Sequence, residues 1–171
     1  MEDRKRLKVY CETSFWSYLN GHPTPLSHIA VKQAATLQWW QSESANCDVY
    51  ISEHVIRETR DGDASMAKVR LESMAGAKML DGATDEITKL AKLLISEHAV
   101  PENEVTDAYH IATAAVCEMD VLLTWNCRQM ANRFALPKTI AVVTGAGSPA
   151  SKSASLISAL AWKGTPCRCV G

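Results

Sequence analysis

Short apolar runs alternate along the chain with longer segments in which apolar residues recur every three or four positions. The short runs predict strands, and the periodic segments predict amphipathic helices. The predicted strands lie at 7–11, 48–52, 77–80, 121–125 and 140–144. Helices are predicted at 15–20, 26–41, 53–59, 64–75, 85–98, 106–116 and 127–134. Because strands and helices alternate, we predict an α/β sandwich whose mainly parallel central sheet of four to five strands is covered on both faces.

The helix predicted to open at Thr106 combines an apolar body with an acidic first turn. Thr106 is the predicted N-cap residue, and Asp107 falls where free backbone N–H groups and the helix dipole favour a carboxylate. The apolar residues that repeat at helical spacing are Ala108, Ile111, Ala112, Ala115 and Val116. We therefore expect this helix to bury its body and to present Asp107 at its beginning.

Composition and charge argue against several classes of protein. The chain has 171 residues and a formal net charge of −1, which gives no general electrostatic case for nucleic-acid binding but leaves a local basic patch open. Residues 1–8 lack the apolar segment of a secretory signal, and no apolar run approaches the roughly 20 residues that span a bilayer. The six cysteines form no C-x-x-C pair. We therefore expect reduced thiols, rather than a disulfide or zinc framework, in a cytoplasmic protein that does not associate with membranes.

The C-terminal tail differs in composition from the rest of the chain. We place a single domain at 1–144 and an atypical tail at 145–171, which begins with a linker-like segment at 145–151. No Asp or Glu follows Phe134. A weak helix is predicted at 153–162, and most of the tail is expected to be poorly ordered. A frameshifted or degenerated end would explain the missing acids, and an intact, selected reading frame at the locus would remove that hypothesis.

Acidic and amide side chains follow the predicted strands at their carboxyl ends. Glu12 follows the first strand, Glu58 lies on the helix after the second, Asp107 opens the helix before the fourth, and Asn126 follows the fourth. In open α/β sheets, sites form outside the carboxyl ends of the strands, so these side chains are expected to converge. Three carboxylates with no Lys or Arg between them would need a hard cation such as Mg²⁺ or Mn²⁺. Taken singly, each acid is better explained as a solvated residue at a helix end than as a metal ligand.

Other polar and aromatic residues near these positions have structural interpretations. Asp120 precedes the fourth strand, so we expect it at the opposite sheet edge as a turn or cap residue. His110 lies one turn after Asp107 and could support the site, but a packed histidine with a backbone partner is the simpler expectation. The remaining candidates, which we expect to pack rather than to stack on nucleobases, are Trp125, Trp39 and Trp40.

Four segments in order resemble the successive motifs of PIN-domain proteins, most of all the VapC-type toxins of prokaryotic toxin–antitoxin pairs. The four segments, which lie within residues 7–133, are VYCETSFWSYL at 9–19, ISEHVIRE at 51–58, DAYHIATA at 107–114 and DVLLTWN at 120–126. The resemblance implies a PIN-like α/β/α sandwich and a Mg²⁺- or Mn²⁺-dependent endoribonuclease that cleaves RNA. It also implies a homodimer that a cognate antitoxin inhibits.

The resemblance carries the family's site onto particular residues of this chain. Its three acids fall on Glu12, Glu58 and Asp107, which would be metal ligands, and its fourth catalytic position falls on Asn126. The small polar positions beside the metal fall on Thr13, Ser14 and Thr124.

The chain departs from the family pattern at two residues and in its tail. The first acid is normally Asp, and the extra methylene of Glu12 moves the carboxylate by ~1.5 Å. Gln129 stands where close relatives tend to carry His, and nothing after Arg133 resembles the usual end of the family. Two alternatives therefore stay open. One is an impaired PIN fold that only binds RNA or an antitoxin, and the other is a different acid-lined α/β domain of the phosphoryl-transfer or receiver type, although no phosphate-binding loop is present to support it.

Overall fold

The computed structural model describes residues 6–126, 130 and 135–147 and the backbone of 157–159. Its strands are β1 Leu7–Cys11, β2 Cys47–Ser52, β3 Lys78–Leu80, β4 Val121–Thr124 and β5 Ile157–Ala159. Its helices are α1 Thr13–Leu19, α2 Ser27–Glu43, α3 Glu53–Arg60, α4 Ala64–Ser73, α5 Asp85–Ser96, α6 Val105–Val116 and α7 Leu136–Gly145, and a 3₁₀ turn at Ser44–Asn46 follows α2.

The strands form one parallel sheet in the order β3-β2-β1-β4-β5. The central strand β1 pairs with β2 on one side and with β4 on the other, and Val9 lies opposite Val49 and Val121. Val9, Tyr10 and Cys11 are completely enclosed because helices cover both faces of the sheet. The predicted α/β sandwich with a parallel sheet is confirmed.

The chain reverses its direction of strand addition at β1. From β1 it proceeds outward through β2 to β3, and it then returns to add β4 on the other side of β1. The ladder between β1 and β4 continues one residue past β1, since the Glu12 N–H donates to the Leu123 carbonyl at 3.2 Å. A reversal of this kind opens a crevice outside the carboxyl ends of the two strands, where α/β proteins place their sites.

Aromatic side chains fix α1 and α2 to each other beside the sheet. Phe15 lies 5.3 Å from Trp16 and 5.5 Å from Trp39 between ring centroids, in both cases edge to face. Trp16 and Trp40 are 5.4 Å apart in a similar arrangement. These are favourable geometries for aromatic pairs, so the predicted packing role of Trp39 and Trp40 is confirmed.

The predicted strand at 140–144 is wrong, because these residues lie inside α7. Pro137 occupies the first turn of the helix, where its missing N–H costs nothing. Thr139 and Val143, four residues apart, are the buried positions, and α7 packs against α5. A short run of β-branched residues does not distinguish a strand from a buried helix face, and here the helical spacing decides.

The predicted weak helix at 153–162 is wrong where the structure describes it. Residues Ile157–Ala159 form β5, which pairs in parallel with β4, and Leu122 lies opposite Ile157. The pairing covers the edge of β4 that β1 leaves free. The helix predicted at 127–134 lies outside the described residues except for Met130, which is buried.

Three cysteines lie among the described residues, and none of the three is in a disulfide. Cys11 and Cys47 are buried and Cys117 is half-buried. Burial raises the pKa of the Cys11 thiol well above its usual range, which keeps it protonated and unreactive. In the part of the chain that the structure describes, no helix has the length and apolar character needed to cross a bilayer.

Candidate active site

The four predicted site residues lie at the carboxyl ends of the central strands. Glu12 directly follows β1, and Asn126 comes two residues after β4. Glu58 lies in the second turn of α3, and Asp107 lies in the first turn of α6. Their charges are close enough for Glu12 and Glu58 both to act on the ionisation of Asp107. The structure therefore brings the predicted acids together at one edge of the sheet.

Glu12 caps helix α1. Its side chain is only 4% exposed, and its carboxylate accepts from the Ser14 N–H at 2.8 Å and from the Ser14 hydroxyl. The Ser14 oxygen in turn accepts from the Trp125 N–H at 2.8 Å. The carboxylate thus satisfies an otherwise free N–H of the first helical turn and connects α1 to the residue that follows β4. This capping role was not predicted, because Glu is not among the residues that usually cap helices.

A series of buried hydrogen bonds between side chains supports Glu58 from the protein interior. The Glu58 carboxylate accepts from His110 Nε2 at 2.8 Å and from the Thr13 hydroxyl. His110 Nδ1 lies 2.7 Å from the Tyr10 hydroxyl, which lies 2.7 Å from the Ser52 hydroxyl. Three of these side chains are almost completely enclosed, so an unpaired polar atom among them would be costly. This series of hydrogen bonds therefore fixes the Glu58 side chain from the interior of the protein.

The partners of His110 differ from those predicted. A backbone partner was expected, but both ring nitrogens bond side chains. The ionised Glu58 carboxylate can only accept, so Nε2 carries a proton, and in the neutral ring Nδ1 is left to accept the Tyr10 hydroxyl proton. Burial raises the pKa of Tyr10 above its ordinary value, which keeps this proton in place. Tyr10 and Ser52 were missed because nothing local in the sequence pairs them with His110.

The environments of Asp107 and Glu58 push their pKa values in opposite directions. Burial raises the pKa of Asp107 to about 6 against the opposing charge of His110, and the neighbouring carboxylates of Glu104, Glu12 and Glu58 act in the same direction as burial. Burial also acts to raise the pKa of Glu58, but the hydrogen bond from His110, the positive charge that His110 carries when protonated and the hydrogen bond from Thr13 outweigh it and leave the value below its ordinary level. Two neighbouring carboxyl groups thus differ in their readiness to carry a proton, as acid–base pairs in active sites do.

Asp107 and Asn126 are directly bonded. Asn126 Nδ2 donates to Asp107 Oδ2 at 2.7 Å, while the Asn126 backbone N–H donates to the Thr124 hydroxyl at 2.8 Å. Thr124 therefore acts by shaping the turn after β4. The prediction that Thr106 caps the helix is wrong, because α6 begins at Val105 and Thr106 lies inside it. Asp107 nevertheless falls in the first turn, as predicted.

The donor chemistry of this edge suits a hard divalent cation. Carboxylate and amide oxygens are the ligands that Mg²⁺ and Mn²⁺ prefer. Among the described residues, however, no three or more His, Cys, Asp or Glu side chains stand close enough to hold a metal ion. The Glu12 carboxylate faces Ser14. A metal site that used all three acids would therefore use the lone pairs of Glu12 that Ser14 leaves free, or would require the Glu12 side chain to turn away from Ser14.

Asp120 lies at the opposite edge of the sheet, as predicted. Its carboxylate accepts from the Lys8 N–H at 2.8 Å, and its own N–H donates to the Lys8 carbonyl at 2.9 Å. These bonds join the beginning of β4 to the beginning of β1. Asp120 is therefore a structural residue and not a fourth acid of the site.

A second histidine, His54, lies beside the hydrogen bonds that support Glu58, and it was not predicted from the sequence. His54 is buried, with Nε2 3.0 Å from the Gly82 carbonyl and Nδ1 2.8 Å from the Arg57 guanidinium. Its ring lies 4.8 Å from that of Tyr109. Because one nitrogen faces a carbonyl and the other faces a cation, the neutral ring fits best, and burial lowers the pKa of His54 accordingly. His54 thus connects α3 and α6 to the loop after β3.

No known protein family, curated protein or solved structure matches the chain. The resemblance to PIN domains therefore depends on the motifs and on the arrangement of residues described above.

Proposed function

We propose that this protein is a metal-dependent endoribonuclease of the PIN type. One observation carries the proposal, namely that Glu12, Glu58 and Asp107 share the carboxyl edge of the sheet and that Asp107 is destabilised there as an anion. Among the described residues, neither Glu12 nor Asp107 forms an ion pair, and Glu58 pairs only with His110. Buried acids without a cationic partner favour the binding of a cation.

Each residue would have a definable part in this function. Asp107, Glu58 and Glu12 would hold Mg²⁺ or Mn²⁺, which when bound orients water and offsets negative charge on a phosphodiester. His110 would keep the Glu58 carboxylate ionised and fixed, since it donates to that carboxylate from a buried position. Asn126 would hold the Asp107 carboxylate, to which it already donates.

The proposal extends to partners and location. RNA would be the substrate, and a second copy of the chain and a cognate antitoxin would be its protein partners. Exposed apolar side chains on and beside α2 support such contacts, the largest being Leu26, Val31 and Leu37. The free thiols of the described cysteines fit a reducing cytoplasm.

The second candidate is a PIN-like fold that binds RNA or an antitoxin without cleaving RNA. The capping role of Glu12 favours this candidate, because a carboxylate that accepts from Ser14 through both of its oxygens has fewer lone pairs to offer a metal ion. An aspartate at position 12 would be shorter by one methylene, about 1.5 Å, and would hold its carboxylate closer to the strand end.

Cleavage of a mixed RNA pool by the purified protein tests the two candidates. The wild type, Glu12→Asp and Asp107→Asn would be compared in Mg²⁺, in Mn²⁺ and in EDTA, with Asp120→Asn as the control at the opposite sheet edge. The ribonuclease proposal expects cleavage by the wild type and by Asp120→Asn that EDTA and Asp107→Asn both remove.

The pattern of activity decides between the candidates. Cleavage by Glu12→Asp alone would identify the natural protein as an impaired PIN fold whose site the extra methylene disables. Full metal-dependent cleavage by folded Asp107→Asn would overturn the site assignment. If neither the wild type nor Glu12→Asp cleaves RNA with any of the metal ions, the ribonuclease proposal is overturned.

A further inference from the structure

A lysine on α2 lies over two aromatic rings beside the carboxylate edge. Lys32 Nζ lies 5.2 Å from the ring centroid of Tyr18 and 5.5 Å from that of Trp125. It also lies 3.5 Å from the Tyr18 hydroxyl. Trp125 immediately precedes Asn126, and Tyr18 lies on the helix that Glu12 caps. The ammonium group therefore stands at the same end of the sheet as the acids.

The rings beneath this ammonium are held in fixed positions. The Trp125 indole N–H donates to the Thr36 hydroxyl at 2.7 Å, and that hydroxyl donates to the Lys32 carbonyl at 2.7 Å. The Trp125 backbone N–H is held by Ser14, and Tyr18 packs edge to face against the indole at 5.8 Å. These bonds tie α2 to the strand end that carries Asn126. The rings that the ammonium contacts are therefore held beside the end of β4.

Lys32 has no ion-pair partner in the described part of the chain, whereas Lys68 pairs with Glu72 and Lys78 pairs with Asp48. An aromatic face stabilises an ammonium only modestly and leaves donors of the group available. Trp125 is 8% exposed, so its face is not open for a nucleobase to stack on. Lys32 is half-buried, and its positive charge is the feature of this cluster that a ligand would meet.

We propose that Lys32 binds a backbone phosphate of single-stranded RNA in a subsite adjoining the carboxylate edge. The proposal rests on the ribonuclease function proposed above. The acids of that edge repel the RNA backbone, so a cation beside them supplies attraction to the strand without neutralising the acids themselves. Because it reads phosphate and not bases, the subsite contributes affinity equally for every sequence.

Lys78 provides a matched control for this proposal. Its ammonium also lies over an aromatic ring, 5.6 Å from the centroid of Tyr50. It differs in that Asp48 neutralises it at 3.2 Å and in that it lies on the outer strand β3, two strands away from β1. Substitution of Lys78 removes a comparable cation–aromatic contact away from the proposed subsite.

Fluorescence anisotropy with a labelled single-stranded oligoribonucleotide of mixed sequence tests the subsite. The full chain would be titrated in EDTA, so that binding is measured apart from cleavage, over a series of KCl concentrations. Lys32→Met should weaken binding by on the order of tenfold at low salt. It should also reduce the slope of log affinity against log salt by about 0.7, the value for one phosphate contact on a single strand. Lys32→Arg should keep the slope, and Lys78→Met should match the wild type.

Each outcome decides something specific. Wild-type affinity and slope in Lys32→Met would overturn the subsite and leave the ribonuclease proposal standing. RNA binding that depends on Lys32 in a wild type that cleaves no RNA would support the subsite and overturn the cleavage assignment, and a wild type that binds no RNA would overturn both. If Lys32→Met changes the urea midpoint, Lys32→Gln replaces it, since its amide keeps a polar end above the rings, and an unchanged slope there counts equally against the subsite.

Discussion

His110 donates to Glu58 at 2.8 Å from a side chain that is only 1% exposed, while Glu58 itself reaches the protein surface. The bond joins a fully buried group to one that solvent and ligands can approach. Tyr10 and Ser52 continue the series of hydrogen bonds from His110 into the core, so buried residues determine the position of Glu58.

Tyr10→Phe should destabilise the fold by about 1–3 kcal/mol, because it leaves the buried polar atoms of His110 and Ser52 without their shared partner. The free energy of unfolding in urea measures the effect. Tyr50→Phe is the control, since Tyr50 lies opposite Tyr10 in the sheet and is half-buried. Equal stability of Tyr10→Phe and the control would show that the hydrogen bonds of the Tyr10 hydroxyl contribute nothing to the free energy of unfolding.

Gly82→Ala should destabilise the protein by about 1–3 kcal/mol through overpacking. A Cβ at position 82 would lie 3.0 Å from His54 Cδ2 and 3.3 Å from Ser52 Cβ, and both neighbours are buried. The control is Gly76→Ala, where an added Cβ meets no atom within 4 Å. Thermal denaturation of the two variants provides the comparison, and an equal melting temperature would contradict the close approach of Gly82 to His54.

The fold and the edge that carries the site follow from local features of the sequence. Strands such as Leu7–Cys11, whose last three residues are buried, appear as short apolar runs. The rule that parallel strands end at one edge brings Glu12 and Asn126 together without knowledge of the structure. The interpretation failed at residues 140–144, where a β-branched run supports a strand and a buried helix face equally.

The connections within the site could not be predicted from the sequence. Tyr10 and His110 are 100 positions apart, and nothing near either residue specifies the other. The same holds for Lys32 and Trp125, which meet only because α2 packs beside the end of β4. Sequence patterns indicate which residues reach an edge, whereas their hydrogen bonds depend on tertiary packing.

Asp107→Asn should stabilise the protein at neutral and higher pH. The pKa of Asp107 is about 6 in the fold and 3.8 ordinarily, so the folded state holds its proton more tightly than the unfolded state does. The contribution of Asp107 to the free energy of unfolding is therefore greatest below pH ~4, falls as the pH rises through 4 to 6, and stays low above that range. At pH 8 this pKa difference between the folded and unfolded states lowers the free energy of unfolding by at most about 3 kcal/mol, which Asp107→Asn should restore.

Urea unfolding of the wild type and Asp107→Asn at pH 8 and pH 4 checks this prediction. The variant should be the more stable protein at pH 8, and the advantage should shrink at pH 4, where the wild-type carboxyl group is protonated. Asp61→Asn, at the exposed end of α3, is the control and should change little at either pH. A variant less stable than the wild type at pH 8 would show that the charge of Asp107 is compensated within the fold.

Mg²⁺ or Mn²⁺ should raise the melting temperature of the wild type and should do so more at pH 8 than at pH 5. A ligand that binds only the folded state stabilises it by mass action, by about 2.7 kcal/mol when its concentration is 100 times its dissociation constant. At pH 5 the proton on Asp107, whose pKa is about 6, competes with the metal ion. Asp107→Asn should lose most of the response, while Asp120→Asn, at the opposite sheet edge, should keep it. The readout is independent of RNA cleavage, so an equal shift in Asp107→Asn and the wild type would count against a metal site at Asp107 whether or not the protein is a nuclease.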